Sequence, residues 1–300
     1  MYSQIDSNKR KTWGLIIFFS IFTVLVVSLL VYSSGADVYT SLAIGGVFSV
    51  CYSLIAFYAS DKVALQTQGA QKIHKEQAPD LYRLVENLCI TAGLPMPAIY
   101  LIEDEAPNAF ATGRDPEHAS IAVTTGLLAR LEKIELEGVL AHELGHIKNY
   151  DIRLMTIVVV LVGLLILVSD ILIRMNIFGH RSKELKGGAL VILLVGLLLG
   201  ILSPLIAQVI KLAVSRTREY LADASGALLT RHPDGLASAL TKIESYHGEM
   251  KRANHATAHL YISSPFGAKK KGGMSWYNRL FATHPPIADR IAKLRNMTRT

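Results

Sequence analysis

Two histidines four residues apart, with a glutamate directly after the first, are the residues of this sequence best suited to chemistry. They are His142, Glu143 and His146, in the run AHELGH. Side chains four residues apart on a helix share one face. Both imidazoles can therefore bind one metal ion at about 2.0–2.1 Å, and the glutamate lies beside a water on that ion. The spacing predicts one Zn²⁺ per chain and the hydrolysis of peptide bonds.

Glu143 is the expected general base of this chemistry. It would take a proton from the attacking water and pass it to the leaving amine. Zinc provides the Lewis acid, so neither a serine nor a cysteine nucleophile is required.

A third metal ligand is expected far along the chain, because catalytic zinc normally takes three protein ligands and keeps one position for water. Glu219 and Asp223 lie four residues apart in SRTREYLAD, directly after an apolar run. Glu219 is the predicted ligand. Asp223 is predicted to accept the second ring N–H of His142 and so to fix its tautomer. The alternative is a solvated pair of acids beside neighbouring arginines.

The run THPP near the C-terminus places a second candidate catalytic residue, His284, on a rigid turn. Two interpretations are equally open: its imidazole hydrogen-bonds the tetrahedral intermediate, or it caps a helix predicted from Ile287 to Leu294. The other histidines show no paired spacing with an acid and are expected in loops or at the surface: His74, His118, His180, His232, His247, His255 and His259.

Composition indicates that these residues belong to a membrane protein. The chain is 51% hydrophobic and 18% charged, whereas soluble domains average about 25% charged. Runs of about 20 residues can cross the bilayer core as helices. Four such apolar runs are present: Trp13 to Tyr32, Val38 to Ala59, Leu154 to Ile173 and Ala189 to Ile210. The first is too long for a cleavable signal peptide and lacks a clear cleavage site.

Flanking charges predict the orientation. Lys9, Arg10 and Lys11 precede the first run, and an uncharged-to-acidic turn follows it, so the N-terminus and residues 60–150 are expected in the cytoplasm. The loop at 174–186 is also basic, which conflicts with four full crossings and leaves the topology of 154–210 open. We assign the net charge of +7 to these flanks, because no pattern indicates a nucleic-acid partner.

Several separated motifs, taken in order, resemble the HtpX-type membrane metalloproteases, relatives of the CAAX prenyl proteases and Oma-type proteases. They are the two N-terminal apolar runs, AHELGHIKNYDIR at 141–153, an apolar hairpin, SRTREYLADASGA at 215–227 and THPPIADRI at 283–291. The resemblance covers nearly the whole chain. It implies a gluzincin with His142, His146 and Glu219 as ligands and Glu143 as the catalytic residue.

The resemblance also implies an endopeptidase of the bacterial inner membrane, with its active site facing the cytoplasm, that removes damaged membrane proteins. Expected partners are polypeptide substrates and the lipid bilayer. A protease with one specific substrate, of the CAAX type, remains an alternative. So do a zinc transporter and a catalytically silent scaffold. A site-2-type intramembrane protease is disfavoured, because the charged residues at 132–137 place this helix in water.

Two short strand patterns, Pro107–Gly113 and Ser120–Thr125, predict a hairpin above the metal helix. An edge strand there can pair with the backbone of a substrate. The resemblance assigns this role to the run NAFATG, which makes five residues candidates for substrate binding: Asn108, Ala109, Phe110, Ala111 and Thr112. A purely structural hairpin is the compatible alternative.

The predicted fold class is α+β and predominantly helical, with a zincin-like catalytic domain fused to about four transmembrane or hydrophobic helices. The expected division of the chain is an N-terminal helix pair at 1–60, the first catalytic part at 61–153, an apolar hairpin at 154–210 and the second catalytic part at 211–300.

Overall fold

The structure is a computed structural model that describes residues 2–179, 216–254, 256–266 and 285–297. These residues are mostly helical, as predicted, with a small mixed sheet. The helices are α1 (Tyr2–Ser33), α2 (Val38–Tyr58), α3 (Ser60–Thr67), α4 (Pro79–Ala92), α5 (Thr125–Arg130), α6 (Lys133–Lys148), α7 (Asp151–Gly179), α8 (Arg216–Thr230), α9 (Pro233–Glu244) and α10 (Ile287–Met297). The strands are β1 (Gln71–Lys72), β2 (Ala98–Ile102), β3 (Ala109–Gly113) and β4 (Ala119–Thr124).

Two helices in the described part of the chain are long and apolar enough to cross a membrane. They cover Ile5–Tyr32 and Val38–Tyr58, with mean hydropathies of 2.8 and 1.8. Large apolar side chains such as Ile17, Leu25 and Val47 are more than half exposed on them. An exposed apolar surface of this extent indicates a lipid environment.

The third predicted apolar run lies in α7. Its side chains Leu154, Ile157 and Leu161 are buried and pack in one cluster with Phe19 of α1 and Ala56 of α2. Taken as a pair, α6 and α7 are apolar enough for a broken span or a re-entrant loop, and they are bent by 83° at their junction. The fourth predicted run lies outside the described residues, so the structure bears on three of the four runs.

The sequence pattern predicts that the helix with the metal motif runs from about Ile134 to Asp151, and the structure differs at its end. The helix α6 ends at Lys148, and Tyr150 takes a left-handed backbone conformation with φ of 58°. A bulky residue is rarely found there, and its backbone interrupts the helix. The metal motif therefore lies on a separate helix that meets the membrane-length helix at a sharp corner.

The sheet has the order β1-β2-β4-β3. The strands β2 and β4 are parallel, whereas β3 and β4 form the predicted antiparallel hairpin. The strand β3 is therefore at the edge of the sheet. The other edge is formed by β1.

The core of the catalytic part lies between this sheet and the helices α4, α6 and α9. Its buried members include Leu88 of α4, Ile121 of β4, Leu140 and Leu144 of α6, and Leu240 of α9. The helix carrying the metal motif is thus held on several sides, which fixes the direction of its polar face. Close packing of this kind limits the movement of side chains.

Candidate metal centre

The two motif histidines and Glu219 meet at one point inside the protein. Each offers one ligand atom, and these atoms all lie within 4.8 Å of one another. The Nε2 atoms of His142 and His146 are 3.2 Å apart, and Glu219 Oε1 is 3.5 Å from the Nε2 atom of His146. Two nitrogens on a tetrahedral zinc ion would be about 3.4 Å apart. The donor set therefore fits a divalent transition metal.

A close approach of two helix backbones allows Glu219 to reach the histidines. The helix α8, which carries Glu219, packs on α6 at Gly226, where a Cβ atom would lie 3.0 Å from the backbone nitrogen of His142. Gly145 of α6 similarly faces Ala222 of α8. Side chains at these two positions would push the helices apart.

Each imidazole is oriented by a carboxylate on the side away from the metal position. Asp223 Oδ1 is 2.9 Å from His142 Nδ1, which is the contact that the sequence predicts. Asp151 Oδ2 is 3.0 Å from His146 Nδ1. Such contacts fix the ring so that Nε2 is presented to a metal.

Sequence reasoning missed Asp151. It lies five residues after His146 and beyond the corner at Tyr150, so helical spacing does not pair it with the histidine. The only signal was an acid directly at the start of the third apolar run.

A second residue missed from the sequence is Arg290 of α10, which is fully buried. Its Nε and Nη2 atoms donate to the two oxygens of Asp223 at 2.9 and 2.7 Å. Its Nη1 atom lies 3.4 Å from Glu219 Oε2. The guanidinium thus offsets part of the negative charge that two buried carboxylates bring to the site.

The burial of Glu219 and Asp223, each 2% exposed, excludes the alternative of a solvated acid pair. Burial by itself raises the pKa of Asp223, but Arg290 and His142 outweigh that effect and lower the value to about 2. The carboxyl is therefore ionised at neutral pH and is ready to accept a proton from His142.

Glu143 is buried beside the ligands with a pKa suited to proton transfer. Desolvation raises the pKa of its carboxyl to about 7, with a further contribution from Glu219. The nearby backbone N–H of Ala111 on β3 acts in the opposite direction and favours the ionised form, which indicates that the carboxyl lies beside the edge strand. A divalent cation at the site would lower this pKa again.

The histidines have opposite tendencies before a metal binds. Burial and Arg290 lower the pKa of His142 to about 4. Burial also opposes the charged form of His146, but Asp151 and Glu219 raise its pKa to about 9. Metal binding must therefore displace a proton from His146, as is usual for sites with protonated ligands.

The five candidate substrate-binding residues lie on or next to the edge strand, but they differ in what they present. Because residues of an antiparallel pair alternate in bonding to the partner, Ala109 and Ala111 direct their backbone groups away from β4, toward the edge. The ring of Phe110 is buried against Tyr261 at 5.0 Å. The Thr112 hydroxyl bonds Thr156 at 2.9 Å. The side chains of Phe110 and Thr112 therefore contribute to packing and do not face a substrate.

A chain segment lies along part of this edge. The backbone N–H of Ile262 donates to the Ala109 carbonyl at 3.0 Å. Asn108, through its side-chain amide, donates to the Ser263 carbonyl at 3.0 Å and also accepts from the N–H of Ala109. No periodic pattern of residues indicates this segment.

Of the remaining histidines, His284 and two others, His180 and His255, lie outside the described residues. The expectation of a loop or surface position is wrong for His259, which is fully buried and has its Nε2 atom 2.8 Å from the Met155 carbonyl. His118 is exposed but pairs with Asp115 at 2.7 Å, a contact that the sequence prediction overlooked.

Comparison with known proteins extends these observations. The profile of peptidase family M48 matches residues 75–298. A protein named Protease HtpX homolog from Thermoanaerobacter pseudethanolicus is 44% identical over 99% of this chain and 98% of its own length. Another of that name, from Dictyoglomus thermophilum, is 47% identical over 99% of this chain and 94% of its own length.

The solved structure of Ste24p from S. mikatae is similar at 18% identity with a TM-score of 0.49, over 95% of this chain and 66% of that chain. The profile match spans most of the sequence, and the two relatives match it from end to end. The chain therefore belongs to peptidase family M48 and is a membrane metalloprotease acting on polypeptides.

Proposed function

We propose that the chain is a zinc endopeptidase of the bacterial inner membrane that cleaves misfolded or damaged membrane proteins and unfolded polypeptides. The observation that carries the proposal is the convergence of His142, His146 and Glu219 beside the buried carboxyl of Glu143. A transporter or structural site needs no proton acceptor there. Histidine and carboxylate donors are those that catalytic zinc prefers.

The residues of the chain divide the chemistry among them. His142, His146 and Glu219 would hold the ion, which when bound polarises the scissile carbonyl and acidifies water. Glu143, whose ionised form the Ala111 N–H favours, removes a proton from the attacking water. It then delivers this proton to the leaving amine. Because the pKa of Glu143 is about 7, the same carboxyl can both accept this proton and release it.

The outer edge of β3 would align the substrate. Main-chain groups of Ala109 and Ala111 can pair with an extended peptide, which binds without a side-chain code and suits unfolded substrates. The Ala109 carbonyl would then exchange its bond with Ile262 for one with the substrate.

Packing supports a cytoplasmic position for the site. The amide of Asn8, near the start of α1, contacts Asn149 and Asp151 next to the metal centre, which supports a position of the centre on the same side of the membrane as the N-terminus. The basic residues at 9–11 favour the cytoplasm for that end. We retain the division into segments 1–60, 61–153, 154–210 and 211–300, since the catalytic core draws on the second and the fourth.

Metal analysis and proteolysis of a casein-type substrate, with and without chelator, test the proposal on the wild type and Glu143→Gln. Glu143→Gln should retain about one zinc per chain and lose cleavage, because the ligands remain and the proton acceptor does not. Glu219→Ala should lower the zinc content. Retained cleavage by Glu143→Gln, or zinc flux into sealed vesicles without proteolysis, would contradict the proposal.

A further inference from the structure

The first membrane helix carries a buried polar side chain that the proposed chemistry does not use. Asn8 of α1 is 1% exposed, although the helix presents large apolar residues to its surroundings over most of its length. A buried amide in such a helix is costly unless it forms hydrogen bonds. The hydrogen-bond partners of Asn8 therefore show which part of the protein the start of α1 supports.

Asn8 bonds both sides of the corner between α6 and α7. Its Nδ2 atom donates to the carbonyl of Asn149 at 3.0 Å and to Asp151 Oδ1 at 2.6 Å. Between them lies Tyr150, whose left-handed backbone needs support from its surroundings. The neighbouring Lys9 places its ammonium 4.7 Å from the centre of the Tyr150 ring. The start of α1 thus fastens the end of the metal helix to the start of α7.

The contact continues to the metal position through Asp151. One oxygen of this carboxylate binds Asn8, while the other lies 3.0 Å from His146 Nδ1. The guanidinium of Arg218 also faces this carboxylate, with its Nε atom 3.7 Å from Oδ1. The short bond from Asn8 thus acts on the rotation of the Asp151 carboxylate, which in turn orients His146 through its Nδ1 atom.

We propose that Asn8 is a positioning residue through which the first membrane helix sets the metal affinity of His146. The helix α1 then contributes to the metal centre in addition to attaching the protein to the lipid. The inference rests on the proposed function in that the ion is zinc. Loss of a group that orients a metal ligand typically weakens metal binding about 10- to 100-fold.

Zinc competition with a chromogenic chelator tests the inference on the full chain in detergent. We expect Asn8→Ala to raise the zinc dissociation constant about 10-fold. Asn8→Asp preserves side-chain volume but places a second carboxylate beside Asp151, so its loss should be larger. Ser20→Ala is the matched control: Ser20 lies on the same helix, bonds Ser53 at 2.8 Å, and is about 18 Å from Asn8 along the axis.

A double-mutant cycle separates positioning from general damage to the fold. If Asn8 acts through Asp151, Asn8→Ala should cause no further loss of zinc affinity in an Asp151→Asn background. At saturating zinc, kcat of Asn8→Ala should recover, because the variant then holds its ion.

Three results would overturn the inference: an unchanged zinc dissociation constant in both Asn8 variants, an equal loss in Ser20→Ala, or a full additional loss in the Asp151→Asn background. If Asn8→Ala aggregates, the zinc dissociation constant of Asn8→Asp provides the test. Zinc affinity is measured independently of cleavage, so a wild type that binds zinc without proteolysis would refute the proposed function and leave this test intact.

Discussion

Arg290 donates two parallel hydrogen bonds to Asp223, from Nε to Oδ2 at 2.9 Å and from Nη2 to Oδ1 at 2.7 Å. The same carboxylate lies against His142, so α10 contributes to the orientation of a metal ligand on α6. The guanidinium also donates to the Ile262 carbonyl at 3.1 Å. One buried cation therefore links the last helix, the metal site and the segment along the edge strand.

Replacement of Arg290 should be severe. Arg290→Met would leave two buried carboxylates without their cation, and removing one partner of a buried pair costs about 3–5 kcal/mol. Arg290→Lys should recover only part of this, because an ammonium cannot bind both oxygens in parallel. Thermal unfolding and zinc content measure the two effects. Arg295→Met, at an exposed arginine of the same helix, is the control, and an equal loss there would argue against the role of Arg290.

Gly226 should tolerate no side chain. A Cβ atom there would lie 3.0 Å from the His142 nitrogen, so Gly226→Ala should separate α8 from α6 and move Glu219 away from the histidines. We expect a loss of about 1–3 kcal/mol in stability together with weaker zinc binding. Gly163→Ala is the matched control, since nothing described lies within 4 Å of its added Cβ. Normal zinc affinity in Gly226→Ala would show that the close approach is unnecessary.

Local spacing predicted much of this structure because it depends on one element at a time. The sequence pattern also predicts a strand over Ala98–Ile102, and β2 has these bounds. The four-residue spacing of Glu219 and Asp223 correctly predicts that both lie on one helix face. The hairpin of β3 and β4 followed from its two strand patterns. In each case the signal and the structure lie within a few residues of each other.

Contacts between distant elements could not be predicted in this way. Asn8 and Arg290 lie near opposite ends of the chain, and each reaches a carboxylate that supports a metal ligand. Only tertiary packing brings them there, and no periodicity records it. The corner at Tyr150 could not be predicted because the residues before it and after it both have helical patterns.

The N–H of Ala111 should matter for cleavage but not for metal binding. It points away from β4, as the alternation of the ladder requires, and it favours the ionised form of Glu143. Proline is tolerated on edge strands at such positions. Ala111→Pro should therefore fold and bind zinc but lose about 10-fold or more of its proteolysis. Phe110→Pro removes a ladder bond instead and should destabilise the protein. Unimpaired cleavage by Ala111→Pro would remove the edge strand from the proposed mechanism.

Glu135 at the start of α6 should make stability depend on pH. Its Oε2 atom lies 2.7 Å from Lys242 Nζ, and its Oε1 atom accepts from Ser238 at 2.6 Å. Burial opposes ionisation, but these partners outweigh it and lower the pKa below the usual 4.5. The stabilisation is thus complete above about pH 4.5 and is lost as the pH falls through the lower folded-state value.

Glu135→Gln should accordingly lower stability by about 1 kcal/mol at neutral pH, and the difference from wild type should shrink in acid. Unfolding by denaturant across this pH range measures it, with chelator present so that metal loss in acid does not contribute. Glu137→Gln on the same helix is the control, because Glu137 forms no ion pair with the described residues. A gap between Glu135→Gln and wild type that stayed constant with pH would mean that the Glu135 charge does not stabilise the metal helix.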